Sequence, residues 1–263
     1  MSRRWLRLTL LGVAVFVLAL LFRIPAGWAL YLAEKRVPVE LEWQEASGTA
    51  WDARVERLVV TLPTGREAVV GPISLHTHLL SALTGSVPVD FRVQSRFGQA
   101  SGSLRLAPGG WQVSEVRGRL ALAELPRLVP QLEVAGLEGQ VLFRGQNLAG
   151  SFSGGPPRTG TLRASLDGLR VGLIRTERPL GDYALEMQAQ GGEGFRGKVR
   201  TVNEKALLGV QGEADTDLAN GLVRFRGQGW AADDAPQAVR DILPLLGQAR
   251  DGQVRIRWQG RIR

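Results

Sequence analysis

The sequence predicts an all-β fold, a mainly antiparallel and curved sheet with a few short helices, behind one N-terminal transmembrane helix. Three observations carry this prediction: an apolar N-terminal run flanked by arginines, long stretches with an apolar residue at every second position, and thirty-three glycines in 263 residues. Alternation with a period of two sends successive side chains to opposite faces of a strand. A polar set opposite an apolar set marks half-buried antiparallel sheet. Glycine at about twice its average usage serves tight turns and weighs against a helical bundle.

The chain begins with Arg3, Arg4 and Arg7, followed by an uncharged run from Leu8 to Phe22, then Arg23 and a second mostly apolar stretch from Ile24 to Ala33. Fifteen residues of helix span about 22 Å, short of the ~30 Å hydrocarbon core. Counted from Trp5, with Arg7 and Arg23 snorkelling to the two interfaces, the segment is long enough. Arginines without acids before the run place the N-terminus in the cytoplasm. Trp5, Trp28 and Tyr31 occupy positions suited to interfacial aromatics. A cleavable signal peptide is the rival reading, but Gly27 and Ala29 flank the bulky Trp28 and make a poor cleavage site. The expected organisation is an N-tail and anchor over 1–33 and an exported β-rich domain over 34–263. The Gly154-Gly155-Pro156-Pro157 cluster offers a boundary between halves 34–155 and 156–263.

Beyond the anchor, alternation recurs in order. Val89, Phe91, Val93 and Phe97 share one face, with Asp90, Arg92, Gln94 and Arg96 opposite. The same pattern returns at Leu104 and Leu106, at Val116, Leu120 and Leu122, and at Val141 and Phe143. It continues through Leu162, Ala164 and Leu166, then Tyr183, Leu185, Met187 and Ala189, then Leu208 and Val210. It closes with Val223 and Phe225, and with Val254, Ile256, Trp258 and Ile262. Turn signals at Pro108-Gly109-Gly110, Asp167-Gly168, Gly191-Gly192 and Asn220-Gly221 separate these runs, giving about ten to thirteen strands. Three short helices interrupt them: Leu75–Leu83, ending at Gly85; Ala123–Val134, broken by Pro126 and Pro130; and Ala235–Leu246. The last has Asp233-Asp234 as caps, Pro236 in its first turn and Gly247 at its end. Val141-Leu-Phe-Arg-Gly-Gln146, Val223-Arg-Phe-Arg-Gly-Gln228 and Val254-Arg-Ile-Arg-Trp-Gln259 echo one another, but at spacings too unequal for a solenoid.

Composition excludes several chemistries. Without cysteine there are no disulfides, thiol nucleophiles or thiolate metal ligands. The net charge of +8 owes four arginines to residues 1–33, leaving twenty-nine basic against twenty-five acidic residues in the exported part. That balance is no polyanion-binding signature. Gly192-Glu-Gly194-Phe-Arg-Gly197 spells the dinucleotide fingerprint, yet Lys198-Val-Arg-Thr-Val202 continues as a strand where a helix is required. His76 and His78, the two histidines, fall in the first expected helix with no acidic neighbour in sequence to complete a ligand set. No catalytic, cofactor-binding or metal-ligating residues are therefore assigned. Arginine outnumbers lysine thirty to three, and Arg224, Arg226, Arg255 and Arg257 line polar strand faces. Such a face is either solvated with cross-strand ion pairs or a docking surface for a partner.

In order along the chain, Gly48-Thr-Ala-Trp51, Leu79-Leu80 before Gly85, Leu180-Gly181-Asp-Tyr183, Leu243-Pro-Leu-Leu-Gly247, Asp251-Gly252 and Gly260 make the sequence resemble the type II secretion system protein N family. The resemblance implies a single-pass protein of the bacterial inner membrane whose periplasmic part supports export of folded proteins. It also implies contact with other subunits, the inner-membrane platform and the outer-membrane secretin among them. It brings no enzyme activity and no cofactor. Gly48, Trp51, Gly181, Tyr183, Gly247 and Gly252 are then motif positions with structural roles, and Arg3, Arg4, Arg7 and Arg23 flank the membrane. The likeness in style to AsmA-like β-rich proteins keeps a lipid-handling reading open, with inward residues such as Val89, Phe91, Val141, Phe143 and Val223 lining a groove. The last strand, Gln253–Arg263, is expected at a sheet edge, free to accept a partner strand.

Overall fold

The computed structural model describes residues 23–34, 40–61, 67–78, 81, 85–127, 136–152, 156–174, 176–218, 220–250 and 253–261. Arg3, Arg4, Arg7 and the apolar run to Phe22 lie outside them, as does Gly252. The described end of the expected anchor is helix α1, Ala26–Glu34, of nine residues. Among the described residues no helix is long and apolar enough to cross a membrane.

Strand β1 (Glu40–Thr49) turns at Ala50-Trp51 into β2 (Asp52–Thr61), which also pairs with the short β3 (Glu67–Val70). Then follow β4 (Ile73–Thr77), β5 (Val87–Ser95), β6 (Gly98–Ala107) and β7 (Gly110–Ala121). A 3₁₀ turn at Leu122–Arg127 precedes β8 (Leu137–Gly150), and β9 (Thr159–Val171), β10 (Gly181–Ala189) and β11 (Gly194–Thr201) continue the series. After β12 (Leu208–Asp217) and β13 (Leu222–Ala231) come helix α2 (Gln237–Leu246), β14 (Gly247–Arg250) and β15 (Gln253–Arg261). All fifteen strands form one open antiparallel sheet in near-sequential order, with β3 beside β2 and β15 inserted between β13 and β14. Strands β8 and β9, which flank the Gly154–Pro157 cluster, are paired neighbours within it.

The long alternating runs and their glycine turns thus fold as read, and from β4 to β13 each strand pairs with the next in a meander. The G-x-G-x-x-G stretch is the β10–β11 hairpin, with Gly194 and Gly197 inside β11. Two non-glycine residues have positive φ: Asn147 in β8, where a bulge shifts the β8–β9 register, and Glu45 in β1, on either side of which the register is unchanged.

Three expectations need correction. Leu75 and His76 lie on β4, not on a helix. Their backbone is captured by β2 and β5, and a short apolar run reads equally well at either period until pairing decides it. The acidic pair before α2 does not cap it: the helix opens after Pro236 without a side-chain cap, while Asp234 pairs with Arg178 at 2.6 Å. Strand β15 is not a bare edge, because β14 covers Gln253–Ile256 on its outer side.

One buried cluster sits under α2 at one end of the sheet, and Ala26, Ala53, Val55, Val59 and Ile73 are buried toward the other end. Helix α2 lays Val239 and Leu243 against Val254 and Ile256 of β15, joined by Ile174, Leu180, Leu207 and Leu208. Val239 is completely enclosed. Enclosing a side chain of that size stabilises the fold by roughly 1.5–3 kcal/mol.

Candidate functional site

The strand register sorts side chains into rows that cross the sheet. One row runs Leu75, Phe91, Gly102, Val116, Gly145, Leu162, Met187, Gly197, Ala214, Phe225 and Trp258. Its neighbour on the same face runs Ile73, Val93, Ala100, Gly118, Phe143, Ala164, Leu185, Val199, Gly212, Gly227 and Ile256. Neither row holds a charged or polar side chain across eleven strands. Aromatic rings lie over cross-strand glycines within these rows: a Cβ on Gly118 would stand 2.5 Å from Phe143 Cζ.

Cover over this face is uneven. Helix α1 packs against β1 and β2, the 3₁₀ turn against β7 and β8, and α2 against β13, β14 and β15. Under α2, Val254 and Ile256 are buried. In mid-sheet, Val89, Phe91, Val141, Phe143 and Leu185 are only half-buried, as is Val223 on β13. A sheet with one apolar face needs a second layer, and the described helices supply it at the ends far more than in the middle.

The opposite face is charged. Its central row runs Arg54, Ser74, Arg92, Ser101, Arg117, Arg144, Arg163, Glu186, Lys198, Glu213, Arg226 and Arg257. Arg144 pairs with Glu115 at 2.7 Å and Arg163 with Glu186 at 2.8 Å, both across strands and both largely exposed. Exposed pairs of this kind contribute only ~0.2–1 kcal/mol each.

On this face the histidines do find a carboxylate. The His76 and His78 rings meet edge to face with centroids 5.2 Å apart, and His78 Nε2 lies 3.0 Å from Asp90 Oδ2. The Ser103 hydroxyl donates to the other Asp90 oxygen. This hydrogen bond first, and that to His78 second, hold the Asp90 carboxyl below its ordinary range. His76, Asp90 and Ser103 share the lining of a shallow pocket of about 390 Å³ with Asp52, Glu115, Arg92 and Arg117 among others. Asp90 was missed from the sequence because it stands twelve residues from His78, and only the β4–β5 register brings them together. The order of contacts does not make a hydrolytic triad. Ser103 bonds the carboxylate rather than an imidazole, so no base is aimed at its hydroxyl. Among the described residues no group of three or more His, Asp or Glu is placed to hold a metal ion.

A family model for type II secretion system (T2SS), protein N, matches residues 39–259. The chain belongs to the type II secretion system protein N family. No curated protein and no solved structure matches it.

Of the motif positions, Gly48, Trp51, Gly181, Tyr183 and Gly247 lie among the described residues. Gly48 has φ +86° where β1 enters its turn, and a Cβ there would lie 2.2 Å from the Asp52 carbonyl oxygen. Only glycine fits that backbone approach. Trp51, half-buried in the same turn, accepts the Thr77 N–H at its carbonyl at 2.7 Å. Gly181 opens β10 and Gly247 opens β14. Tyr183 is buried and donates its hydroxyl hydrogen to the Leu208 carbonyl at 2.9 Å. Burial, and secondarily the Asp182 carboxylate, push its phenol well above the ordinary range. Arg23 is exposed just before α1.

Proposed function

We propose that this chain is an inner-membrane-anchored accessory subunit of the type II secretion system that supports export of folded proteins. In this reading residues 1–33 hold it in the membrane with the N-terminus in the cytoplasm. Residues 34–263 form the periplasmic domain, which acts through contacts with the inner-membrane platform and the secretin and catalyses no reaction. The family match over residues 39–259 carries the proposal. The arginine-flanked run from Leu8 to Phe22 supports the anchor. The one-sided sheet supports a role in contacts, since an apolar face without a full second layer invites a partner. The motif residues Gly48, Trp51, Gly181, Tyr183, Gly247 and Gly252 build the fold in this account rather than touch a partner.

Removing the gene and measuring secreted enzyme in the medium tests the role, with crosslinking in intact membranes to identify neighbours. Loss of secretion with crosslinks to platform subunits is expected. Normal secretion with no such crosslinks sinks the proposal.

A second reading, a lipid-handling protein, draws on the same half-buried apolar rows. Lipid extracted from the purified chain and quantified by mass spectrometry separates the two. Stoichiometric lipid that survives delipidation buffers favours the carrier, and its absence favours the secretion subunit.

A further inference from the structure

We propose that the arginine-lined groove over β5, β6 and β7, on the charged face, binds an extended acidic segment of a partner protein. Three cations, Arg92 on β5 and Arg117 and Arg119 on β7, converge on a groove of about 450 Å³ together with Gln94, Gln99 and Ser101. Register joins them: Arg92 opposes Ser101, which opposes Arg117, while Gln94 opposes Gln99, which opposes Arg119.

Of the acids that share a pocket with Arg92 and Arg117, Glu115 is held by Arg144 and Asp90 by Ser103 and His78. The third, Asp52, stands on β2, with β4 between it and Arg92 on β5. None of the described salt bridges uses Arg92, Arg117 or Arg119. Elsewhere on this face arginines do find acids: Arg224 has Asp215 and Arg54 has Glu56. The groove is thus a local surplus of fixed positive charge in a domain whose overall balance is modest.

The geometry favours a peptide over other anions. Arg117 and Arg119 are two residues apart on one strand and so stand ~6.8 Å apart on one face. Alternate side chains of an extended segment repeat at the same ~6.8 Å. Two carboxylates at i and i+2 therefore meet the two guanidinium forks, which suit carboxylates in a bidentate manner. Gln94 and Gln99 each offer an amide donor and acceptor suited to a peptide backbone. Leu142, unusually exposed at 41 %, lines the same groove and adds an apolar contact that neither a free phosphate nor a polyphosphate backbone would use.

Fluorescence anisotropy with the full-length chain tests this, using a labelled ten-residue peptide of alternating Glu and Ser and the same peptide with every Glu replaced by Gln. The acidic peptide is expected to bind with an affinity that falls as salt rises, and the Gln peptide to bind at least about tenfold more weakly. Arg117→Gln with Arg119→Gln is expected to remove that difference, whereas Arg226→Gln with Arg257→Gln, on the same face six and seven positions along the row from Arg117, leaves it intact. Equal binding of the two peptides overturns the proposal without needing any variant. So does retention of the preference in the Arg117/Arg119 variant. Binding to phosphatidylglycerol vesicles through Arg117 and Arg119, with no peptide binding, reassigns the groove to a lipid headgroup and equally overturns it.

Discussion

Phe143 on β8 lies with its ring over Gly118, its directly opposed partner on β7, so closely that a Cβ on Gly118 would fall 2.5 Å from the ring and 2.5 Å from the Gln99 carbonyl oxygen. The pair sits mid-row on the uncharged face, where an aromatic ring protects the bare backbone of a glycine and covers the surface it leaves. Gly118→Val must displace both ring and strand. The expected cost is about 2–3 kcal/mol, read as a lowered urea midpoint with unchanged slope. A change under about 0.5 kcal/mol would show that the ring moves freely and that the row is not packed.

Tyr183 gives a test in pH. Its folded pKa is raised by burial, so the folded state keeps a proton that the unfolded chain releases near pH ~10. Above that point stability falls by up to ~1.4 kcal/mol per pH unit, while below it the full contribution is present. Tyr183→Phe loses the hydrogen bond to Leu208 and costs about 1 kcal/mol at pH 8. The gap between the two proteins should narrow as pH rises past 10, because only the wild type bears the tyrosine penalty. Urea midpoints at pH 8 and pH 10.5 check it, and a constant gap would count against the assignment.

Val239 anchors α2 to the sheet with no exposed surface. Val239→Asp places an unpaired carboxylate in that core and should destabilise it by about 3 kcal/mol or more. Hydrogen exchange should show amides of α2, β14 and β15 exchanging much faster, with those of β5–β8 little changed. Uniform loss of protection would mean that the sheet unfolds as a single unit.

Strand β15 supplies Val254 and Ile256 to the same core, so removing residues 253–263 should abolish the cooperative unfolding of this end rather than merely release a partner. Trp258, by contrast, is 56 % exposed beyond the reach of β14. Trp258→Ala should shift stability by less than about 1 kcal/mol. A truncated chain with native stability would restore the idea of a dispensable edge.

Much of the sheet is legible in the sequence because from β4 to β13 each strand pairs with its neighbour in the chain, so local alternation and the intervening turns carry most of the topology. The runs around Val89–Val93, Val141–Phe143 and Tyr183–Ala189 all became strands in the expected order. What could not be read locally depends on register or on distant partners. Leu75 sits on a strand because β2 and β5 flank it, and Asp234 left its expected capping role because Arg178 lies beside it. The Asp90–His78 contact and the unpaired arginines of the groove likewise exist only once β4 to β7 are in register. The uncharged face was visible as periodicity, but how the described helices cover it was not, since cover is a property of what packs above.

In the proposed function this protein N family member works through contacts that its sheet makes with other secretion subunits. The most direct measurement places a photoreactive amino acid at Leu185, on the half-buried apolar face, and irradiates intact cells carrying the working secretion system. A discrete adduct with an inner-membrane secretion subunit is expected, disappearing when that subunit is deleted. An adduct with lipid alone, unchanged in cells lacking the rest of the apparatus, would contradict it.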